Sequence, residues 1–212
     1  ACTRPTNGKM PTSYITLNQQ TGSRTIVHHR DCPEFNFADF KRIDLNQFDW
    51  VHFEGRNVAE TKLMLQHLKI FHPYLPCSLE IEKSRPDIEQ LFELPTLLMF
   101  SQQYAQTHGF LDATSFLSSL KSNLMASCTW GQSGAWATHK QGQIIHSNAF
   151  PPEQLIDTLG AGDTFNAGLI HSLVNQHDLQ HALNYACQLA GYKCGQLGFD
   201  HLTHFSKIND YV

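Results

Sequence analysis

The alternation of polar and apolar side chains predicts two β-hairpins in this chain. The first covers about residues 12–29, with turn residues at Thr21-Gly22-Ser23 and β-branched residues at Thr25-Ile26-Val27. The second covers residues 135–149, with its turn at Gln141-Gly142.

Between and after the hairpins, short apolar stretches alternate with helical patterns. Strands are predicted at Trp50–Phe53, Ser78–Ile81, Leu97–Phe100 and Ser127–Trp130. Helices are predicted at about Ala59–Phe71, Asp87–Leu94, Thr114–Met125, Ala161–Val174 and Leu179–Gln196. This alternation is typical of βαβ crossovers, so we expect an α/β fold with a mostly parallel sheet and helices on both faces. Ligands of such folds bind at the carboxyl ends of the strands.

Composition narrows the classes of function. The chain has 212 residues, 41% of them hydrophobic, and neither a repeat nor a linker is evident, so we expect a single domain over residues 1–212. The formal net charge is -4 without a block of like charge, which argues against a nucleic-acid or membrane partner. The expected ligand is therefore a small molecule.

Cysteine and histidine spacing gives no sign of a metal or disulfide framework. The six cysteines are scattered without a CxxC pair, and the thirteen histidines show no HxH spacing and are not collected into a metal site. No stretch reaches the roughly 20 apolar residues of a membrane helix. These features favour a soluble protein with free thiols in the cytoplasm.

The segment Asp157-Thr158-Leu159-Gly160-Ala161-Gly162-Asp163 carries the most informative chemistry, at the start of a helical pattern. A helix start leaves its first N–H groups unpaired, and glycines allow a phosphate to approach the backbone closely. A carboxylate at Asp163 would repel such a ligand, which suggests that it accepts a proton from an attacking hydroxyl. The alternative is that Asp157 and Asp163 only cap the helix and complement its dipole.

The same segment matches, without a departure, the DTxGAGD signature of the ribokinase-like (PfkB) carbohydrate kinases, so the chain resembles that family. Other stretches resemble its ketohexokinase branch, namely Arg24-Thr25-Ile26-Val27, Glu54-Gly55-Arg56-Asn57, Glu80-Ile81-Glu82-Lys83, Ala190-Gly191-Tyr192-Lys193-Cys194-Gly195 and Gly198-Phe199-Asp200. The resemblance covers about residues 12–200. It implies a three-layer α/β sandwich with a mostly parallel central sheet, and the hairpin of residues 12–29 as a lid.

The resemblance also implies roles for particular residues. Asp163 matches the catalytic base and Gly160, Ala161 and Gly162 match the anion hole. Arg24 matches an arginine that reaches the phosphates of ATP, and Gly131, Gln132, Ser133 and Gly134 match residues that line the nucleotide. ATP and Mg²⁺ are the implied cofactors, with room for a monovalent cation, and the implied reaction converts a ketose, above all fructose, to its 1-phosphate.

For some of these residues a plain structural interpretation stays open. Arg24 also fits a solvated hairpin arginine, and Gly131 and Gly134 also fit ordinary turn glycines. Phe150-Pro151-Pro152 and Cys187 are candidate walls for the adenine, or ordinary core residues. Ser101-Gln102-Gln103-Tyr104 stands where many members have an NxxE motif, which leaves the protein contacts of Mg²⁺ unassigned. Gln132 stands where the vertebrate-like pattern of this branch has an acidic residue, so only its backbone is expected to contact the nucleotide.

The acceptor and the assembly are less defined. The first strand of the family, a sugar-gripping aspartate and a Gly-Gly-Asn segment are not found before the hairpin, so we expect an N-terminally incomplete domain. A nucleoside or other sugar kinase and a catalytically silent nucleotide-binding remnant are the alternatives. A homodimer through the hairpin is expected, because an isolated two-stranded ribbon is marginally stable.

Overall fold

The computed structural model describes residues 6–17, 24–139, 142–202 and 205, and it divides into the units Ala1–Arg42 and Ile43–Val212. The first unit contains the antiparallel strands β1 (Thr12–Leu17) and β2 (Arg24–His29), followed by the short helix α1 (Phe37–Phe40). The predicted first hairpin is thus confirmed. Its predicted turn lies outside the described residues.

The second unit is built on one six-stranded sheet. Its strands follow one another in space in chain order. They are β3 (Val51–Glu54), β4 (Cys77–Ile81), β5 (Leu97–Phe100), β6 (Ala126–Thr129), β7 (Ala135–Thr138) and β8 (Ile144–Ser147). The first four strands are parallel, whereas β7 and β8 add to β6 as an antiparallel hairpin. All four predicted strands are confirmed to within one residue, and so is the second hairpin, of whose predicted turn Gln141 is not described.

Helices connect the strands, and two of them follow the last strand. They are α2 (Val58–Phe71), α3 (Gln102–Thr107), α4 (Ala113–Ser119), α5 (Ala161–Val174) and α6 (Leu179–Cys194). Side-chain oxygens of Asn57, Ser101, Asp112 and Asp178 accept a first-turn N–H of α2, α3, α4 and α6. Helix α5 has no such side-chain cap. None of the helices in the described ranges is long and apolar enough to cross a membrane.

Two predicted helices are shorter than expected. The segment Asp87–Leu94 forms only a 3₁₀ turn at Ile88–Leu91, because Asp87 enters it with a left-handed φ of 63° and the following N–H groups bond three residues back. The helix predicted over Thr114–Met125 ends at Ser119, whose hydroxyl donates to the Phe116 carbonyl. Sequence reasoning also missed α3, which Ser101 caps.

Alternating side chains of the sheet face two different helix layers. Met99 of β5 lies in one buried cluster with Phe165 of α5 and Leu183 of α6. Phe100, the next residue along the strand, packs edge-on against Phe116 of α4, with ring centroids 4.8 Å apart. The sheet is therefore covered on both faces, as predicted, and its carboxyl edge stays accessible between the layers.

Gly134 offers a test of how tightly the β6–β7 turn fits the end of β8. Its φ is +90°, and a Cβ there would lie 2.0 Å from the carbonyl oxygen of Ser147. Gly142, in the β7–β8 loop, also has a positive φ, +78°, but a Cβ there would meet nothing within 4 Å. Gly142→Ala should cost about 1–2 kcal/mol of unfolding free energy, the left-handed penalty alone. Gly134→Ala should cost at least about 2 kcal/mol more, because of the clash, as measured by urea unfolding. Equal losses would show that the turn yields freely.

Candidate active site

A cavity of about 680 Å³ opens beside the turn that follows β6 and the first turn of α5. Its wall includes the apolar side chains of Phe150 and Cys187 and the backbone of Gly131 and Gly162. The segment at Phe150 packs closely on α6, because a Cβ at Gly191 would lie 1.9 Å from the Phe150 carbonyl oxygen. An apolar wall next to glycine backbone suits a ligand with a flat apolar end and an anionic end.

The start of α5 leaves backbone donors without partners. Gly160 precedes the helix with a left-handed φ of 76°, and the Ala161 N–H donates to the Thr158 carbonyl. The N–H groups of Gly162 and Asp163 have no hydrogen-bond acceptor within the part of the chain that the structure describes. Ala161 and Gly162 line the cavity, and the space around Gly162 is open. The unpaired donors and the positive end of the helix dipole are features that favour binding of an anion.

The two aspartates of the motif have different surroundings. Asp157 Oδ1 accepts the Leu159 N–H at 2.9 Å, and its Oδ2 lies 2.6 Å from Lys193 Nζ. Lys193, followed by the Leu159 amide, holds the pKa of Asp157 below its ordinary value. The Asp163 side chain is exposed and caps no N–H of α5. Neither carboxylate therefore caps the helix.

Acidic side chains gather near Asp163 at the carboxyl edge of the sheet. Glu54 and Glu80 are opposite each other in the parallel register of β3 and β4. Asn166, one turn after Asp163 in α5, donates its Nδ2–H to Glu80 Oε1 at 3.0 Å. Burial raises the pKa of Glu80 to about 7, and the nearby charge of Asp163 adds to the rise. Sequence reasoning missed this contact, because it joins residues 86 positions apart.

The sequence-predicted site residues lie largely around one cavity. Gly131, Gln132, Gly134, Ala161 and Gly162 all line it. Ser133 is instead engaged through its carbonyl, which lies 3.0 Å from Nε2 of His146, a residue of β8.

Three further predictions concern the side chain of Arg24, the segment of residues 101–104 that stands in place of an NxxE motif, and the ligands of a metal ion. The side chain of Arg24 lies outside the described residues. Ser101 caps α3, and its hydroxyl donates to the Glu82 carbonyl. In the described ranges, no group of three or more His, Cys, Asp or Glu side chains is arranged to hold a metal ion.

Comparison with known proteins identifies the class of fold. Adenosine kinase from Sinorhizobium meliloti superposes with a TM-score of 0.76 at 18% identity, covering 92% of this chain and 65% of that one. Ribokinase from Cryptococcus neoformans var. grubii serotype A, solved in complex with ADP, superposes with a TM-score of 0.73 at 18% identity, covering 92% of this chain and 70% of that one. The fold is therefore ribokinase-like, a three-layer sandwich with a mostly parallel sheet and a separate two-stranded hairpin.

Sequence comparison identifies the family. Residues 2–203 match the model of the pfkB family carbohydrate kinases. Ketohexokinase of Mus musculus is 41% identical over 204 residues, which cover 91% of this chain and 68% of the mouse protein. The chain belongs to the pfkB family of carbohydrate kinases. It is a phosphotransferase that acts on a sugar hydroxyl, as the motif predicted.

The raised pKa of Glu80 generates a test of the site's electrostatics. The folded protein holds the Glu80 proton up to about pH 7, whereas an unfolded glutamate loses it near its ordinary pKa of 4.5. Ionisation of Glu80 therefore lowers the stability of the wild type as the pH rises through this window. In urea unfolding between about pH 5 and about pH 8, Glu80→Gln should lose less stability than the wild type.

Glu93→Gln is the matched control for this test. Glu93 is exposed, and hydrogen bonding to Lys121 lowers its pKa below the ordinary 4.5, so it does not titrate between these two pH values. The control should therefore follow the wild type. A Glu80→Gln curve parallel to both would contradict the raised pKa.

Proposed function

We propose that this chain catalyses the ATP-dependent phosphorylation of a ketose, with fructose converted to fructose 1-phosphate. The observation that carries the proposal is the start of α5, where unpaired N–H groups adjoin a nucleotide-sized cavity and an exposed Asp163 that caps nothing. Similarity to mouse ketohexokinase favours fructose as the acceptor.

The cavity suits the base and ribose of a nucleotide. Phe150, Pro151 and Cys187 supply apolar wall, and Gly131 and Gly134 themselves carry no side chain that would keep a ligand away from their backbone. The anionic end of ATP would then reach the N–H groups of Gly162 and Asp163. Arg24 stays a predicted phosphate contact. Mg²⁺ would arrive with the nucleotide, because magnesium binds through phosphates and one or two carboxylates, and it would neutralise phosphate charge.

The residues of the α5 start would divide the chemistry between them. Asp163 would take the proton of the attacking sugar hydroxyl, and the unpaired amides of Gly162 and Asp163, which follow Gly160 and Ala161, would hold the charge that develops on the transferred phosphoryl group. Because donors fixed in a helix do not reorganise during the reaction, they stabilise this charge more than water does. The carboxylate and the amides lie on one helical turn, which fixes their relative geometry.

Assembly as a homodimer through β1 and β2 is part of the proposal. Tyr14 pairs with Val27 and Ile15 with Ile26 in the hairpin register, and all four side chains are exposed. Successive pairs point to opposite faces of the ribbon, so each face carries an apolar pair. A second copy of the hairpin would cover one of these faces.

Replacing the proposed base tests the catalytic assignment. Asp163→Asn keeps the size of the side chain but removes the proton acceptor, so kcat should fall by about 10²- to 10⁴-fold while ADP affinity stays within about threefold. Steady-state kinetics and calorimetric ADP binding measure the two quantities.

Asp178→Asn is the control for that change, because it makes the same substitution at the start of α6. Asp178 accepts the His181 N–H at 2.8 Å, and asparagine caps helices equally well. Its kcat should equal that of the wild type. An Asp163→Asn enzyme with wild-type turnover would refute the base assignment.

A substrate panel tests the choice of acceptor. In a protein that carries this chain within a whole kinase domain, assayed with Mg·ATP and each of fructose, ribose and adenosine, kcat/KM should be highest for fructose, with kcat within the usual range of about 1–100 s⁻¹ for kinases. Nuclear magnetic resonance of the product should place the phosphate on O1 of fructose. A preference for ribose or adenosine would replace fructose by that acceptor and leave the phosphotransfer reaction in place.

A further inference from the structure

Lys193 of α6 is a buried charge to which the proposed reaction gives no role. Its side chain is 0% exposed, and no other Lys, Arg, Asp or Glu in the described ranges is buried. Removing an ammonium group from water is costly unless it is paired and hydrogen-bonded. Its surroundings should therefore show what the charge holds in place.

The Lys193 ammonium group lies between the motif segment before α5 and the ring of Phe199. Its Nζ donates to the Asp157 carboxylate at 2.6 Å and to the Asp157 carbonyl at 2.9 Å. It also lies 5.4 Å from the ring centroid of Phe199, within the range of a cation–π contact. Two oxygens and one aromatic face thus surround the charge.

The same partners fix the backbone just before the anion site. Asp157 Oδ1 accepts the Leu159 N–H at 2.9 Å, two residues from the helix start. The Phe199 ring presses on Gly160, where a Cβ would lie 2.3 Å from Phe199 Cζ. Gly160 is the residue whose left-handed φ of 76° begins α5. Lys193 therefore joins the two contacts that orient the first turn of the helix.

The backbone docks at the same place. The N–H groups of Ile156 and Asp157 both donate to the carbonyl of Cys194, at 2.9 and 3.2 Å. Because Cys194 is the last residue of α6, the end of that helix supports the motif segment through main chain and side chain together. The main-chain bonds position residues 156 and 157, whereas the Lys193 contacts reach Leu159 and Gly160 through Asp157 and Phe199.

We propose that Lys193 is a positioning residue for phosphoryl transfer, whose buried ammonium group holds residues 157–160 so that the unpaired amides of α5 face the cavity. The inference rests on the proposed function. Lys193 does not line the cavity, so it acts through Asp157 and Phe199 and not on the nucleotide. Because removing one partner of a buried ion pair also lowers stability, the test of positioning needs readouts that lost stability alone does not change.

Kinetics of Lys193 variants distinguish positioning from stability. In Lys193→Met and Lys193→Ala, kcat per folded molecule should fall by about 10- to 100-fold, because small displacements of catalytic groups have effects of that size. KM for ATP should change by less than about threefold, since the apolar wall of the cavity is untouched.

Leu183→Ala is the control for lost stability. Leu183 is fully buried in α6, ten residues before Lys193, and packs in the core below the sheet. This variant should unfold at a lower temperature but keep its kcat per folded molecule.

Chemical rescue supplies a second readout in Lys193→Ala. The truncation removes three methylene groups and the ammonium group, which together correspond to propylammonium. Added propylammonium should restore at least about tenfold of the lost kcat by re-entering the vacated site, whereas propanol, of similar shape without the charge, should not. Restoration by both compounds would mean that the cavity and not the charge matters, and would overturn the proposal.

Hydrogen exchange decides the proposal even if sugar phosphorylation is not observed. The hydrogen-bonded amides of Leu159 and Ala161 should exchange at least about tenfold faster in Lys193→Met than in the wild type, with the rest of α5 unchanged. Leu183→Ala should not show this local pattern. Unchanged exchange in Lys193→Met, or wild-type kcat in an active preparation, would overturn the proposal. A wild type without phosphotransfer would instead refute the proposed function and leave the exchange result to judge the role of Lys193.

Discussion

The site depends on a helix that begins without a side-chain cap. At α2, α3, α4 and α6 an asparagine, serine or aspartate oxygen accepts a first-turn N–H. At α5 that position is Gly160, which has no side chain to compete for the donors. Unpaired donors are tolerated in a folded protein when water or a ligand reaches them. The open space around Gly162 provides that access, so the absence of a side-chain cap is tolerated because the cavity is open.

The sheet explains where the cavity lies. After β6 the chain reverses direction and adds β7 and β8 antiparallel, instead of crossing back by a helix. The Gly131–Ser133 turn therefore stays at the carboxyl edge, and the segment after β8 returns to the same edge at Phe150. Helix α6 supports that segment through the close approach at Gly191. The turn after β6 and the segment after β8 thus both border the cavity.

Features encoded by neighbouring residues were predictable from the sequence, and those made by distant residues were not. The strands and the limits of α5 follow from apolar periodicity and from the glycines of the motif, and the unpaired donors follow from the helix start. The α-helix predicted at Asp87–Leu94 shows the limit of apolar periodicity as a guide. The left-handed φ of Asp87 leads into a 3₁₀ turn instead of an α-helix. Tertiary contacts lay beyond this reasoning. Glu80 with Asn166, and Lys193 with Asp157, carry no local pattern that links them.

The negative charges of Glu80 and Asp163 near α5 repel each other, and their surroundings limit this repulsion. Glu80 and Asp163 are close enough for each charge to raise the free energy of the other, and a bound polyphosphate would add to the repulsion. Burial counters this by keeping part of the Glu80 population protonated at neutral pH, while the hydrogen bond from Asn166 favours the ionised form. Asp157, which precedes the helix, is neutralised by Lys193. Of the two motif aspartates, only Asp163 is left exposed and without an ion pair among the described residues, which is the condition that a carboxylate must meet to accept a proton from a substrate.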